Sequence, residues 1–480
     1  MCLIENFMKK YFLTALFFIF SFSPYAFSQK VWTLEDCISH ALENNIQIKQ
    51  QQLSTAVSKL QYNQSIAALF PSINASATHV YNNGQTVDMY TNSFATQTVQ
   101  SNNFYLSGNV VLFSGLQLLN GLKQKQLDFL ASKYDLEKMK NDISLTIATA
   151  YLQILYNSEL LETSKSQYEI SKQQLERTKT LFSVGTIAKG TLLQMEAQAA
   201  ADELQVVTAQ NQLDLAYLSL VQFLDLQSTQ GFEIEKPALT LPDANVLLQQ
   251  VDAIFNKAIA IQPDIKSAEL KVRSAKKGLQ SSWGMMSPTI SLNASYGTGY
   301  SGASKNITNA TISGYQTIGV TESNEMVYGP TYQYTYENVK FWDQLDKNLN
   351  SSVGLYLNIP IFNKWQTNTM IGTSKISVAN AELVLQNTKN QLLKTIQQAY
   401  ADARAALNRY NASLKTVEAL TESFAYTQQK FDVGMVNSID YNDAKNKLTK
   451  ATSDLLQAKY EYVFRIKVLD FYQGNPLTLK

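Results

Sequence analysis

The spacing of apolar and polar positions separates this chain into two kinds of element. In the stretch Ser352–Phe362, S-V-G-L-Y-L-N-I-P-I-F, one side carries Val353, Leu355, Leu357, Ile359 and Ile361, and the other Ser352, Gly354, Tyr356, Asn358 and Pro360. Side chains alternate across a strand, so a period of two predicts a strand over 351–362 with one apolar and one wet face. Its length, about eleven residues, is what a tilted strand needs to cross a bilayer. Three further runs alternate in the same way, at about 72–80, 104–113 and 288–300. Their apolar sides carry Ile73, Ala75 and Ala77; Phe104, Leu106, Val110 and Leu112; and Ile290, Leu292, Ala294, Tyr296 and Tyr300. Residues 81–102 are polar, and residues 301–350, loaded with Tyr, Asn, Ser and Thr, read as an exposed surface loop.

The remaining apolar residues fall at helical spacing. Leu34, Ile38, Ala41, Leu42, Ile46, Leu53, Val57 and Leu60 predict a helix over Thr33–Leu69, with Thr33 and Asp36 as a capping-box-like start and Pro71 beyond its end. From Ser114 to Phe182 nothing breaks a helix except Gly115 and Gly121 near its start. Ile147, Ile154, Leu161, Tyr168, Leu175 and Phe182 fall seven apart along it, and the second seam, Ala150, Asn157, Ser164, Ser171 and Thr178, is small or polar. A heptad repeat means helices wound around helices, and the small seam lets neighbours approach closely. Phe182-Ser-Val-Gly185 turns the chain, with Gly185 as a left-handed C-terminal cap, into a shorter helix over Thr191–Leu224.

The pattern then repeats. Ala41-Leu42 matches Ala258-Ile259, Ile48-Lys49 matches Ile265-Lys266, and Pro71 matches Pro288, all at an offset of 217. Phe113, Asn141, Tyr151 and Phe182-x-Val-Gly185 match Phe362, Asn390, Tyr400 and Phe431-x-Val-Gly434 at an offset of 249, the second copy having the longer loop. The heptad stripe recurs as Ile396, Ala403, Tyr410, Val417, Phe424 and Phe431. The chain therefore reads as a tandem duplication of a helix–strand–strand–long helix–helix unit: residues 29–224, a Gly- and Pro-containing connector at 225–250, and residues 251–480.

Residues 1–28 read as a secretory signal peptide. Lys9 and Lys10 precede an apolar run from Tyr11 to Phe22, and Ala26-Phe27-Ser28 offers a small-x-small cleavage site. Its removal takes away Glu5, Lys9 and Lys10, leaving 38 basic and 38 acidic residues, which argues against nucleic-acid binding by bulk charge. One cysteine, Cys37, then remains, so no internal disulfide forms. The two histidines, His40 and His79, lie far apart and give a histidine metal site or catalytic triad little support. No apolar run after the signal is long enough for a spanning helix, so a membrane crossing has to use strands.

Four strands cannot seal themselves in lipid, because the sheet edges carry unpaired backbone groups and closure takes roughly eight strands or more. Several copies must share one barrel. The duplicated unit, the two V-G turns and the I-P-I-F strand-to-helix join resemble the TolC-type outer-membrane efflux proteins over nearly the whole mature chain. The resemblance implies a homotrimer in outer-membrane lipid: a twelve-stranded β-barrel continued by a periplasmic α-helical barrel. It further implies an exit duct for an inner-membrane efflux pump, joined to it by a periplasmic adaptor protein. Two other readings stand beside this one, the outer-membrane component of a type I protein secretion system and a periplasmic coiled-coil adaptor or scaffold. An enzyme has little support, since no nucleophile–base set or metal cluster stands out.

The resemblance also names candidate sites. The turns Phe182, Val184, Gly185 and Phe431, Val433, Gly434 correspond to the adaptor-docking tips; a hairpin needing glycine for positive φ would explain them equally. Asp440 and Asp443 occupy the positions of the family's entrance aspartates, and three copies would set six carboxylates around a constriction that attracts cations. Helix N-terminal capping and the helix dipole also favour Asp there. The first copy has Thr191 and Gln194 instead, and Val436 stands where some members carry an entrance arginine. Gly297-Thr-Gly-Tyr-Ser-Gly302 fits a dinucleotide-binding glycine pattern but leads into a polar loop rather than a helix, so no cofactor is expected. Tyr296, Tyr300, Tyr105 and Phe104 are candidates for an aromatic girdle at the bilayer interface.

Overall fold

A computed structural model describes residues 31–95, 98–237, 241, 247 and 249–478. The signal peptide expected at 1–28 lies outside the described residues. The helices are α1 (Leu34–Asn44), α2 (Ile46–Ala67), α3 (Gln117–Ser183), α4 (Lys189–Phe223), α5 (Val251–Ile261), α6 (Pro263–Gly284), α7 (Phe341–Lys347), α8 (Gln366–Asp432) and α9 (Ser438–Tyr472). The strands are β1 (Val31–Trp32), β2 (Ser72–Asn82), β3 (Thr86–Val87), β4 (Phe94–Ala95), β5 (Val99–Phe113), β6 (Glu233–Ile234), β7 (Thr289–Ser301), β8 (Lys305–Val320), β9 (Met326–Asn338) and β10 (Asn350–Asn358).

The duplication extends to the element ends. The bounds of α5 and α6 are those of α1 and α2 displaced by 217, and the bounds of α8 and α9 are those of α3 and α4 displaced by 249. The single helix expected over Thr33–Leu69 is broken at Asn45, which leaves the helical region at φ −59°, ψ 130°. Its counterpart Gln262 breaks the second copy with φ −65°, ψ 129°. Asn45 earns this position by its side chain, whose Oδ1 accepts from the Gln47 amide at 2.9 Å while Nδ2 donates to the Phe223 carbonyl at 3.0 Å. Thr33 and Asp36 form the expected reciprocal capping box.

The chain divides into two compact units. One comprises Ala56–Ser132 and Ala268–Leu385 and contains an antiparallel sheet in the order β10–β7–β5–β2. The register carries the sequence alternation across all four strands as far as Val111, after which a bulge brings Phe113 rather than Leu112 opposite Ile290. Ile73, Gly108, Ala294 and Val353 form one row, and Asn74, Ser107, Ser295 and Ser352 form a row of the opposite face. Val353 is 73% exposed and Leu355 65%, with no part of the protomer over them. The other face is mainly polar, with Val80, Val99 and Val111 among its residues, and Asn109 hydrogen-bonds Asn293 across it. Tyr105 lies on this polar face, so the girdle candidates reduce to Phe104, Tyr296 and Tyr300. Gly297 and Gly299 serve the polar face as well: a Cβ on Gly297 would lie 2.6 Å from the Tyr105 ring, and one on Gly299 would overlap the Tyr90 ring.

Three boundaries differ from the expected ones. The fourth strand ends at Asn358 rather than 362. Asn358 pairs with Thr289, the first residue of β7, so no ladder partner remains beyond it, and Pro360 has no amide to donate. The second strand starts at Val99, five residues early, and pairs with β2 through Asn82. The largest difference is in residues 301–350, where the expected loop is a two-stranded antiparallel ribbon of β8 and β9 followed by α7.

The second unit comprises the described residues up to Thr55, Lys133–Ser267 and Gln386 onwards. Its core packs Leu34, Cys37 and Ala41 of α1 against Ile147, Tyr151 and Ile154 of α3 and Leu220 of α4. Tyr151 donates to the carbonyls of Trp32 at 3.2 Å and Glu235 at 2.6 Å, pinning the short β1–β6 pair. Burial pushes its phenol well above the ordinary range. The duplicate tyrosine, Tyr400, donates to the Leu247 carbonyl at 2.7 Å. Along α3 the heptad stripe is buried at Ile147, Ile154 and Leu161, but toward the tip the small seam is the more deeply covered one: Ser164, Ser171 and Thr178 are buried, whereas Tyr168 and Leu175 are half-buried and Phe182 is exposed.

Candidate functional site

The two tips are built alike. At the end of α3 the Gly185 amide donates to the Phe182 carbonyl and the Thr186 amide to the Leu181 carbonyl; at the end of α8 Gly434 and Met435 do the same with Phe431 and Lys430. This is the pattern of a helix closed by a left-handed residue, and both glycines are left-handed, with φ +78° and +75°. Space does not require glycine there, since a Cβ would meet nothing within 4 Å at either position. The requirement comes from the backbone. Val184 and Val433 are exposed large apolar residues on the tips, whereas Phe431 turns inward and stacks on Tyr441 at 4.6 Å between ring centroids. The tips themselves are tied together, since Arg177 of α3 pairs with the Asp432 carboxylate at the end of α8.

Asp440 and Asp443 lie one turn apart near the start of α9, both exposed. The Asn437 side chain caps the helix by accepting from the Asp440 amide at 2.9 Å. Capping therefore falls to Asn437, and the Asp440 carboxylate is not used for it. Among the described residues Asp440 has no ion-pair partner, whereas Asp443 pairs with Lys447 one turn on at 2.6 Å, both side chains largely exposed. Of the two carboxylates, Asp440 thus presents the uncompensated charge.

Sequence reasoning missed the feature just beneath. Lys445 is only 2% exposed, and its Nζ contacts the Asp202 carboxylate of α4 at 2.8 Å and the Gln167 carbonyl of α3 at 3.0 Å, with Ser171 as a third partner. Ser171 donates to the same Asp202 oxygen. Around it, Gln198 and Asn446 exchange hydrogen bonds at 3.0 and 3.2 Å, and Ser438 donates to Gln194. This network joins α9 of the second copy to α3 and α4 of the first. It is not duplicated: the positions equivalent to Lys445, Asp202 and Ser171 at the 249 offset are Glu196, Ala451 and Leu420. The signal was present, since Lys445 falls one turn after Tyr441 and two after Ser438, on the buried stripe of α9, where a lysine needs a partner.

Among the described residues no group of three or more His, Cys, Asp or Glu could hold a metal ion. Among those residues no helix is long and apolar enough to cross a membrane. A sheet with a largely exposed apolar face and two unpaired edges, joined to two very long helical hairpins, is the arrangement of an outer-membrane channel subunit. The sequence profile of the outer membrane efflux proteins matches residues 37–225 and 254–474, one segment in each repeat, and the chain belongs to that family. It is 24% identical to the outer membrane protein TolC of Escherichia coli over 409 residues, 84% of this chain and 74% of that one. The Vibrio cholerae TolC is 21% identical over 92% of this chain and 90% of its own length. Among solved structures, the outer membrane protein VceC of Vibrio cholerae superposes with a TM-score of 0.73 at 14% identity, covering 92% of this chain and 96% of the other.

Proposed function

We propose that three copies of this chain, each contributing its four strands, form one outer-membrane barrel, and that the protein is the passive exit duct of a tripartite efflux pump. The observation that carries this reading is the sheet itself: its apolar face is uncovered except where α7 meets Phe104, Thr298 and Tyr300, and β2 and β10 each leave an edge that another copy can pair. Residues 29–224 and 251–480 act as two copies of one unit, so a trimer is six-fold in repeats. The energy comes from a pump in the inner membrane, and the duct performs no chemistry. Native mass spectrometry of protein extracted with detergent from outer membranes should give three times the mass of the mature chain; a single mass would overturn the reading.

The same proposal assigns the tips to the adaptor. Phe182, Val184, Gly185 and Phe431, Val433, Gly434 belong to turns that offer exposed valines on a rigid, glycine-closed backbone. Gly434→Val should cost roughly 1–2 kcal/mol at the turn, because a β-branched residue is forced into the left-handed region. The barrel should still assemble while drug resistance of the host falls; full resistance would remove the turn from the docking surface.

Asp440 and Asp443 form the constriction in this reading, with Asp440 as the stronger contributor. The double variant Asp440→Asn, Asp443→Asn should weaken block of single-channel current by a polyvalent cation about tenfold, equivalent to roughly 1.4 kcal/mol of lost attraction. Asp440→Asn alone should account for most of the loss. Unchanged block would place both carboxylates away from the narrowest point.

A further inference from the structure

Residues 305–338 are not needed to close a barrel, yet they form one of the most regular elements of the chain. In the ribbon of β8 and β9, every even-numbered residue of β9 from Met326 to Tyr336 shares one face, and the ladder brings Val320, Thr317, Tyr315, Ile312, Ala310 and Ile307 of β8 opposite them. Tyr332, Tyr334 and Tyr336 line up along this face with successive ring centroids 6.2 and 6.4 Å apart. The opposite face is polar in its root half, with Thr331, Gln333 and Thr335 over Gly314, Thr311 and Asn309, and carries Val327 and Ile318 nearer the turn. Between the rungs Ile307–Tyr336 and Val320–Met326 there is no charged residue; Glu322 and Glu325 sit in the turn. Every large apolar residue of the aromatic face is exposed in the lone protomer.

The root of the ribbon is fixed. Ser301 at the end of β7 donates to the Asp88 carboxylate, and its amide donates to the Gln344 side chain at 2.9 Å. Gln344 in turn donates to the Ser301 and Val339 carbonyls at 3.0 and 2.9 Å. Burial raises the Asp88 carboxyl, but the hydrogen bonds from Ser301, Thr91 and Tyr90 outweigh it and leave the group below its usual range. The ribbon is thus held in place at its base while about 40 Å of two-stranded sheet stands uncovered.

We infer that this aromatic face is an interface between copies of the chain: in the trimer the three ribbons turn it toward one another around the threefold axis, so that each meets both neighbours. An isolated two-stranded ribbon is marginal in water and needs its apolar face buried to persist. The face is uncharged, which suits another copy of itself and not a phosphate-bearing lipid headgroup. The ribbon also sits in the chain between β7 and β10, and β10 is the edge strand that a neighbouring copy must pair. Three copies around one barrel bring three anchored ribbons to the same rim, where tethering makes even a weak contact form. The inference rests on the trimeric duct reading.

The test places the photo-crosslinking residue benzoylphenylalanine at Tyr334, or at Tyr332 in a second variant, and at Gln333 on the polar face, in full-length protein in outer membranes. Illumination at 334 or 332 should give a covalent dimer whose linked peptides both fall within 305–338, with at least tenfold less at 333. A persisting trimer with no such product, or with lipid attached to residue 334, would overturn the ribbon interface and leave the duct intact. Absence of the trimer in the unmodified protein would overturn both.

Discussion

A Leu355→Arg substitution is expected to abolish the assembled form of the protein in the outer membrane. Leu355 sits at the middle of β10, pairs with Leu292 and is 65% exposed on the apolar face. Placing arginine on the lipid face of a barrel near the bilayer midplane costs about 2–4 kcal/mol, and each trimer carries the substitution in every copy. The chain has little other means of compensating, since β10 is an edge strand whose neighbour has to be recruited. Ser352→Arg is the control. It lies three residues away on the polar face, paired with Ser295, and should be assembled normally. Heat-modifiable migration of membrane extracts reads both. Equal behaviour of the two variants would mean that the two faces of the sheet are not distinguished by lipid.

The second large effect is expected at Lys445. It is almost fully covered and Asp202 is 15% exposed, so each charge depends on the other. Removing one partner of a buried pair typically costs 3–5 kcal/mol, because the remaining charge is left in a poor environment. Lys445→Met should therefore lower the thermal stability of the helical hairpins strongly, and Asp202→Leu should do the same. The double variant, with apolar groups of similar size at both positions, should recover most of the loss. Additive losses in this cycle would show that the two side chains act independently and that their contact does not tie α9 to α4.

The elements most legible in the sequence were those with a single unbroken period. The heptad stripe through Ile147 and Ile154 and the V-G turns led directly to α3, α8 and their left-handed glycines. The strands were legible because apolar and polar residues alternate without interruption between Thr289 and Tyr296. Asn358 ends its strand because β7 supplies no further partner, which depends on the ladder and not on the I-P-I-F pattern. The ribbon was hidden by its bulges. On β8 the residues of the apolar face are Ile307, Ala310, Ile312, Tyr315, Thr317 and Val320, spaced alternately by three and two, because bulges after Ile307, Ile312 and Thr317 each absorb one residue. No fixed period detects such a strand. Tyr105 was a girdle candidate only because it is aromatic: the alternation itself sets it opposite Phe104, on the face with Ser107 and Asn109, and the structure has it there beside Gly297.

At the helical tips, the turns could be read but the contacts between helices could not. Asp440 and Asp443 were visible as a pair one turn apart. That Asn437 takes over the capping role and that Lys447 offsets Asp443 follows from side-chain geometry. Lys445, Asp202 and Ser171 are separated by more than two hundred residues between the first and second copies, and the duplication offered no hint because the network occurs once.

The most direct test of the whole account is the current carried by the purified protein in planar lipid bilayers. A duct built from shared sheets predicts discrete, uniform conductance steps from the detergent-extracted protein, with no dependence on an energy source. A mature chain that is soluble without detergent, and that leaves the bilayer electrically silent, would contradict it.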